Sequence, residues 1–286
     1  SFRYKMIGLF LGENDLPIEI LKKIEKKKIN YFIIKINKKK KIKKKKLNYF
    51  IIDLTKNNKF KKNKNSFFIN IGKFGEILKL IKSKKCRKVI FAGNIIKPKI
   101  SRLKLDFKGL FYIPRIVKAA KLGDAAVLKA LIKILSENKI KVIRLNTFNP
   151  ELTLKKGVYT RVKPSKEEKE QILKGIKTLK NTNSYNHTQA VIIRDNKVIS
   201  LETRNGTKEM IKRAPKSKIK KGILIKLPKA KQDLRVDLPT IGIDTFKDCN
   251  IAGIKGIAVK SNQNIILDKE ISIKYANRNK LFLVAI

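Results

Sequence analysis

Apolar residues recur in short β-branched and aromatic runs at residues 6–11, 30–36, 49–54, 88–92 and 141–145, each of strand length. Between several of these runs the apolar spacing lengthens to the three-to-four-residue rhythm of a helix face, at 17–28, 74–84 and 113–135. Strands alternating with helices point to crossover connections rather than hairpins. The pattern therefore predicts a mostly parallel sheet covered by helices, a Rossmann-like α/β domain over residues 1–146.

The rhythm stops after Leu145. Asn146-Thr147-Phe148-Asn149-Pro150, then Gly157 and Pro164-Ser165, read as a linker over 147–165. Ser165 followed three residues later by Glu168 forms a capping box that opens a helix running to about residue 182. Further on, 190–194 and 197–202 flank Asp195-Asn196 as a hairpin, with a helix at 207–214 and strands at 222–226, 256–259 and 281–285. These elements make a second α/β unit, a catalytic domain over 166–286. The expected fold class is thus two α/β domains joined by a linker, with the active site between them.

Composition removes several alternatives. A chain of 286 residues, 42% of them hydrophobic, can bury two cores, so it is not a disordered basic tail despite a formal charge of +49. Lys dominates that charge, with Asn and Ile also in heavy use. An A/T-rich coding sequence produces such a composition, and so does a surface that attracts anionic lipid headgroups or polyphosphate ligands. The two runs of four Lys at 38–46 read as a solvated loop that could also rest on an anionic membrane. Zinc-finger spacing, RNP-type aromatic motifs and arginine-rich arms are missing, so no nucleic-acid partner is expected.

Cys86 and Cys249 have no paired spacing, which excludes a disulfide framework and a Cys-ligated zinc site and points to a reducing compartment. His187 is the single histidine, so a metal would be held by oxygen, favouring Mg²⁺ or Mn²⁺ over Zn²⁺. No run of about eighteen apolar residues occurs. The short apolar opening at 2–11 lacks a small-residue cleavage site after it and reads as a first strand, which makes the expected location cytoplasmic.

Candidate chemistry gathers at five places. Gly12 closes a strand before the helix that starts near Pro17, a turn able to expose backbone N–H groups to a phosphate or nucleotide edge. Asn94 follows the strand at 88–92 in the same way, so the two turns are expected to share one crevice at the carboxyl ends of the strands. Asp124, after Gly123, opens a helical pattern and is either a cap or a ligand. Glu202 and the Asn205-Gly206-Thr207 turn resemble an anion-binding helix start, although Thr207 is equally an ordinary N-cap.

The fifth place is the most concentrated. Lys226, Lys229, Lys231, Gln232, Asp233, Arg235 and Asp237 crowd into twelve positions, with Pro228 and Pro239 stiffening the ends. In extended chain Asp233, Arg235 and Asp237 would share one side. A base between two acids makes either a salt-bridged strand or a site that joins metal to phosphate.

At these residues the chain resembles the metal-dependent UDP-2,3-diacylglucosamine pyrophosphatases of lipid A synthesis, the type unrelated to calcineurin-like phosphoesterases. The resemblance spans nearly the whole chain. It rests on Asp15-Leu16-Pro17, Ile71-Gly72-Lys73-Phe74-Gly75, Ala92-Gly93-Asn94 through Pro98, Lys121-Leu122-Gly123-Asp124, Thr188-Gln189-Ala190-Val191, Glu202 through Thr207, and above all Lys229 through Gly242. It implies hydrolysis of UDP-2,3-diacylglucosamine to 2,3-diacylglucosamine 1-phosphate (lipid X) and UMP, with Mg²⁺ and two α/β domains enclosing the lipid.

The catalytic acid of the family's RxDxPTIG motif falls on Asp237, with Asp233 and Arg235 beside it as further catalytic groups. By the same resemblance Gly12, Asn94, Gln189, Gly206, Thr207, Lys229 and Gln232 bind substrate, and Asp237 with Asp124 holds the metal. The chain departs from the family pattern at Ala125 and Lys208, where the family has acids, at Gly12-Glu13-Asn14, and at Lys97, where it has Arg. Asp124, Glu202, Asp233 and Asp237 remain as oxygen donors. Partners implied are the lipid substrate, lipid X and transient contact with the anionic inner-membrane surface; a homodimer is left open.

Leu110, Phe111, Ile113 and Ile116 could line an apolar groove for the acyl chains, although a helix stripe of this kind is expected in the core. Two rival readings stand beside the hydrolase. One is another nucleotide-sugar phosphohydrolase or transferase using the same phosphate crevice, and the other is a basic nucleic-acid-binding protein without chemistry.

Overall fold

A computed structural model of the chain describes residues 6–12, 16–30, 48–53, 60, 62, 64–93, 104–182, 188–229, 233–235 and 238–286. Of the strand expected at 30–36, Asn30 instead ends a helix and the rest lies outside these residues, as do the lysine runs at 38–46 and Asn94, Lys97, His187, Lys231, Gln232 and Asp237. The main break between two compact units falls between Phe148 and Asn149.

The first unit runs β1 (Met6–Leu11), α1 (Leu16–Asn30), β2 (Asn48–Asp53), β3 (Ser66–Phe68), α2 (Phe74–Ser83), β4 (Lys88–Ala92), α3 (Phe107–Lys121), α4 (Asp124–Glu137), β5 (Lys141–Val142) and α5 (Leu145–Phe148). Its five strands are all parallel, in the order β3-β2-β1-β4-β5. β1 is hydrophobic almost throughout because a central parallel strand is covered on both faces, and Ile7, Leu9, Phe10 and Leu11 are all buried. On one face Phe10 stacks on Phe91 at 4.6 Å and meets Phe74, Ile77, Leu78 and Ile81, the helical stripe of α2.

The region read as one helix at 113–135 is two helices. Gly123 adopts φ +100°, a backbone state that ends α3 and starts α4 afresh. α3 also starts earlier than its apolar rhythm suggests, because Asp106 caps it by accepting from Gly109 N at 2.7 Å and from Glu76 N at 2.9 Å. Burial pulls the Asp106 carboxyl upward, but the N–H donors of Gly109, Gly75 and Glu76, with Lys73 nearby, outweigh it and hold the pKa below the ordinary value. The core expectation for the α3 stripe divides. Ile116 packs on the core and Ile113 is half-buried, whereas Leu110 and Phe111 face outward.

The second unit opens with a 3-10 turn at Pro150–Leu152 and continues through β6 (Gly157–Val158), α6 (Lys166–Asn181), β7 (Ala190–Arg194), β8 (Lys197–Leu201), α7 (Gly206–Arg213), β9 (Ile223–Lys226) and β10 (Thr240–Ile241). It closes with α8 (Ile243–Ile251), β11 (Gly256–Val259), β12 (Ile265–Ile266), α9 (Lys269–Arg278) and β13 (Phe282–Ala285). Its main sheet has the order β6-β13-β11-β9-β7-β8. β9, β11 and β13 run parallel, while β6, β7 and β8 are antiparallel to their neighbours. β6 lies within the 147–165 span read as linker and adds an edge to this sheet.

Local chemistry explains two of these elements directly. Ser165 Oγ accepts from Glu168 N at 3.2 Å while Ser165 N donates to Glu168 Oε2 at 2.7 Å, the reciprocal box that starts α6. Asp195 and Asn196 take φ 48° and 56°, the left-handed pair that a two-residue hairpin requires between β7 and β8. Cys86 and Cys249 are both free and buried, one in each unit. Burial drives both thiols upward in pKa, and Asp248 adds to the effect at Cys249. Among the described residues no helix is long and apolar enough to cross a membrane.

Candidate active site

In the first unit the strand order reverses between β1 and β4, and ligands of open parallel sheets collect outside the carboxyl ends at such a reversal. Leu11 pairs with Ala92 there, which sets Gly12 beside the start of the Gly93 turn. Gly12 N donates to Ala92 O at 2.9 Å, so its own amide is used by the sheet. What Gly12 offers a ligand is room for close backbone approach rather than this N–H. Gly93 follows at φ 84°, again a left-handed turn. Asn94 lies outside the described residues. Asp124 is the first residue of α4, with Gly123 in the N-cap position and no side-chain cap.

In the second unit, polar side chains gather where β9 and β11 end. Glu202, 3% exposed, accepts from Gln189 N through Oε2 at 2.9 Å and from Thr207 Oγ1 through Oε1 at 2.5 Å. Its backbone is fixed as well, since Glu202 N donates to Ala190 O and Thr188 Oγ1 donates to Glu202 O. With each carboxylate oxygen already accepting a hydrogen bond, Glu202 ties the end of β8 to the start of β7 and to α7. Through these bonds it positions its neighbours.

Thr207 is correspondingly not an N-cap. Asn205 occupies the cap position of α7, and the Thr207 hydroxyl points to Glu202. Gly206, at φ 84°, has open space where a Cβ would sit. Gln189 is held by its backbone, donating to Glu202 and accepting from Leu227 N at 2.8 Å. Its side-chain Oε1 is buried with no hydrogen-bond partner among the described residues. A buried acceptor without a partner carries a desolvation cost, and a bound N–H or O–H would relieve it.

Of two further residues at this end, Asn264 was not singled out from the sequence, and Lys226 was named there only as part of the charged cluster. Asn264, 1% exposed, donates to Lys226 O at 3.1 Å and accepts from Lys260 N at 2.9 Å, locking the ends of β9 and β11 together. Lys226, itself buried, reaches across to Thr240 O at 3.0 Å and so anchors the far side of the charged segment to the sheet. The polar turn Asn262-Gln263-Asn264 after a strand was the available signal, the same one that marks Asn94.

The charged segment leaves β9 at Lys226 and returns at β10. Lys229, Asp233 and Arg235 are each half-buried. Leu234 and Arg235 form a turn, so the two-residue alternation expected of extended chain does not hold across Asp233 and Arg235. Gln232 and Asp237 lie outside the described residues. Among the described residues no group of three or more His, Cys, Asp or Glu is placed to hold a metal ion.

Comparison with known proteins addresses the whole chain. Residues 6–152 match the family model described as the LpxI N-terminal domain, and residues 155–284 match the LpxI C-terminal domain. A protein of Caulobacter vibrioides named UDP-2,3-diacylglucosamine pyrophosphatase LpxI is 29% identical over 226 residues, which cover 76% of this chain and 81% of that protein. Two consecutive domain models that together take in both units leave one conclusion: the chain belongs to the LpxI family.

Proposed function

We propose that this protein hydrolyses the pyrophosphate bond of UDP-2,3-diacylglucosamine, releasing UMP and 2,3-diacylglucosamine 1-phosphate. The observation that carries the reading is the match of both domain models, in order, with the charged segment at 226–239 inside the second. Water adds to one phosphorus, the bond from that phosphorus to the bridging oxygen breaks, and the water proton leaves through a carboxylate.

The donor set suits a hard cation. Both thiols are buried and kept protonated, and the acids assigned to the reaction, Asp237 and Asp124 with Asp233, supply only oxygen. Asp237 and Asp124 would hold Mg²⁺ or Mn²⁺, which when bound neutralises phosphate charge and lowers the pKa of water. Asp233 orients the attacking water, and Lys229 and Arg235 stabilise the phosphoryl oxygens as charge shifts onto the leaving group. Gln189 Oε1 accepts from a substrate N–H or O–H, and Glu202 with Thr207 holds that side chain's backbone in place. Gly12 and Gly93 admit the nucleotide at the switch between β1 and β4, and Asn94 binds it.

A diacylated substrate resides in a membrane, and the charge of +49 supports transient contact with an anionic bilayer. The decisive assay is UMP release with added Mg²⁺. Wild type should release UMP from UDP-2,3-diacylglucosamine and lose that activity in chelator, and Asp237→Ala should fall by at least ~100-fold with its fold intact. Equal release from UDP-N-acetylglucosamine would favour the general nucleotide-sugar hydrolase. Full activity of Asp237→Ala would overturn the residue assignment.

A further inference from the structure

α3 has an inner face that is already satisfied and an outer face that is not. Gly109, Tyr112, Ile116 and Ala119, at helical spacing, turn toward the core of the first unit, and Gly109 comes so close to Gly72 O that a Cβ there would stand 2.1 Å from it. On the opposite side Phe107, Leu110 and Phe111 are 87%, 57% and 73% exposed. Single exposed apolar residues are ordinary, but three on two successive turns, two of them aromatic, form a patch.

The rim of this patch is basic. Lys104 and Lys108 flank it and are exposed, and Lys79 and Lys82 of α2 line a shallow groove with Phe107 and Lys108. Asp106 and Glu76 line the same groove, and they and Glu137 are each held by a local partner. Asp106 caps α3, Glu76 pairs with Lys73 at 2.7 Å, and Glu137 pairs with Arg115 at 2.8 Å. An outward apolar cluster whose rim carries Lys79, Lys82, Lys104 and Lys108 against the locally bonded Glu76 and Asp106 is net basic, and matches a surface that is apolar below and anionic above. A second copy of the chain fits less well, since a symmetric contact would press the lysines of one face against those of the other.

We propose that the first two turns of α3 are a membrane-docking surface. Phe107, Leu110 and Phe111 enter the interfacial region of a bilayer, while Lys79, Lys82, Lys104 and Lys108 hold the phosphates of anionic lipid. This rests on the membrane contact proposed above and refines it: general charge attraction needs no particular helix, and this assignment does.

The chain contains no tryptophan, so Phe107→Trp supplies a single reporter. The full chain is mixed with phosphatidylcholine vesicles, with or without about a third phosphatidylglycerol. The expected result is co-sedimentation with the anionic vesicles, a blue shift of the Trp emission, and quenching by brominated acyl chains. Phe107→Ser/Lys108→Gln should bind these vesicles on the order of tenfold more weakly, keep the wild-type circular dichroism melt, and retain turnover on detergent-dispersed substrate.

Co-sedimentation with the Trp emission unchanged would keep membrane contact and overturn the α3 assignment. No co-sedimentation at physiological salt would overturn both. A blue shift without vesicles that grows with protein concentration would show that a second copy covers the patch, and loss of detergent-phase turnover in the double variant would give the patch to the substrate's acyl chains. Either result overturns the proposal.

Discussion

The two units bury different kinds of side chain. In the first, the described buried residues are apolar apart from Tyr49 and Cys86, and no Asn, Gln, Ser, Thr or charged side chain is among them. In the second, Thr188, Glu202, Lys226 and Asn264 are buried at one end of the sheet, and Thr160, Glu168, Gln171, Arg194 and Ser272 are buried elsewhere. Burying a polar group is unfavourable unless its hydrogen bonds are restored, so the second unit depends on such partners more heavily than the first. Under the proposed function the first unit would meet a ligand chiefly with backbone at the β1/β4 switch, and the second with side chains held by other side chains. An all-parallel sheet suits the former, because covered strands leave little place for polar groups except at their ends.

Four substitutions would break or sharpen that contrast. The largest expected loss is in the second unit. Arg194 donates to the carbonyls of Pro215, Lys221 and Ala252, and Arg194→Met leaves all three without this donor, for a loss of about 3 kcal/mol. Amide hydrogen exchange should show the loss in the second unit alone, and a loss below about 1 kcal/mol would mean that its buried polar groups matter far less than their partners suggest.

A smaller loss is expected in the first unit, where polar dependence is local. Asp106→Ala removes the α3 cap and should cost about 1–2 kcal/mol near neutral pH. The folded carboxyl has a depressed pKa, so its contribution is complete above the ordinary value of 3.8 and is lost as pH falls through the lower folded value. Urea unfolding of wild type and variant should therefore converge in acid; a gap that widened there would reverse the sign.

The smallest effect should be equal in the two units. Gly123 and Gly206 both have positive φ and open space around the missing Cβ, so Gly123→Ala and Gly206→Ala should each cost about 1 kcal/mol from backbone strain alone. Thermal melts that separated them by much more than this would place a contact, not strain, behind one of the glycines.

Much of the fold was legible because it is written in local signals. β1, β4, α2, the capping box at Ser165 and the turn at Asp195-Asn196 each announce themselves by periodicity or by a residue type with a single structural use. α8 and α9 did not. The buried face of α9 includes Ser272 and Ala276 while Ile271 points outward, so its hydropathy carries little helical rhythm, and α8 buries only Phe246 and Cys249. β6, β10 and β12 are two residues long, too short for alternation to register.

The candidate site was legible in its residue types and much less so in its connections. Glu202 meets Gln189 across 13 residues, Lys226 meets Thr240 across 14, and Asn264 meets Lys226 across 38. Such pairings arise when strands assemble, and no local spacing announces them. Thr207 reads as a cap for a different reason: its residue type suits an N-cap, whereas its hydroxyl bonds the carboxylate of Glu202 just before the helix.

The two cysteines have a practical consequence. Both are buried with pKa values raised by that burial, so the thiolate that alkylating reagents require is scarce at each. The native chain should give almost no background with maleimide dyes under folding conditions. A single cysteine placed on any exposed position could then be labelled without first removing the natural pair, opening the protein to distance measurements between its two units during turnover.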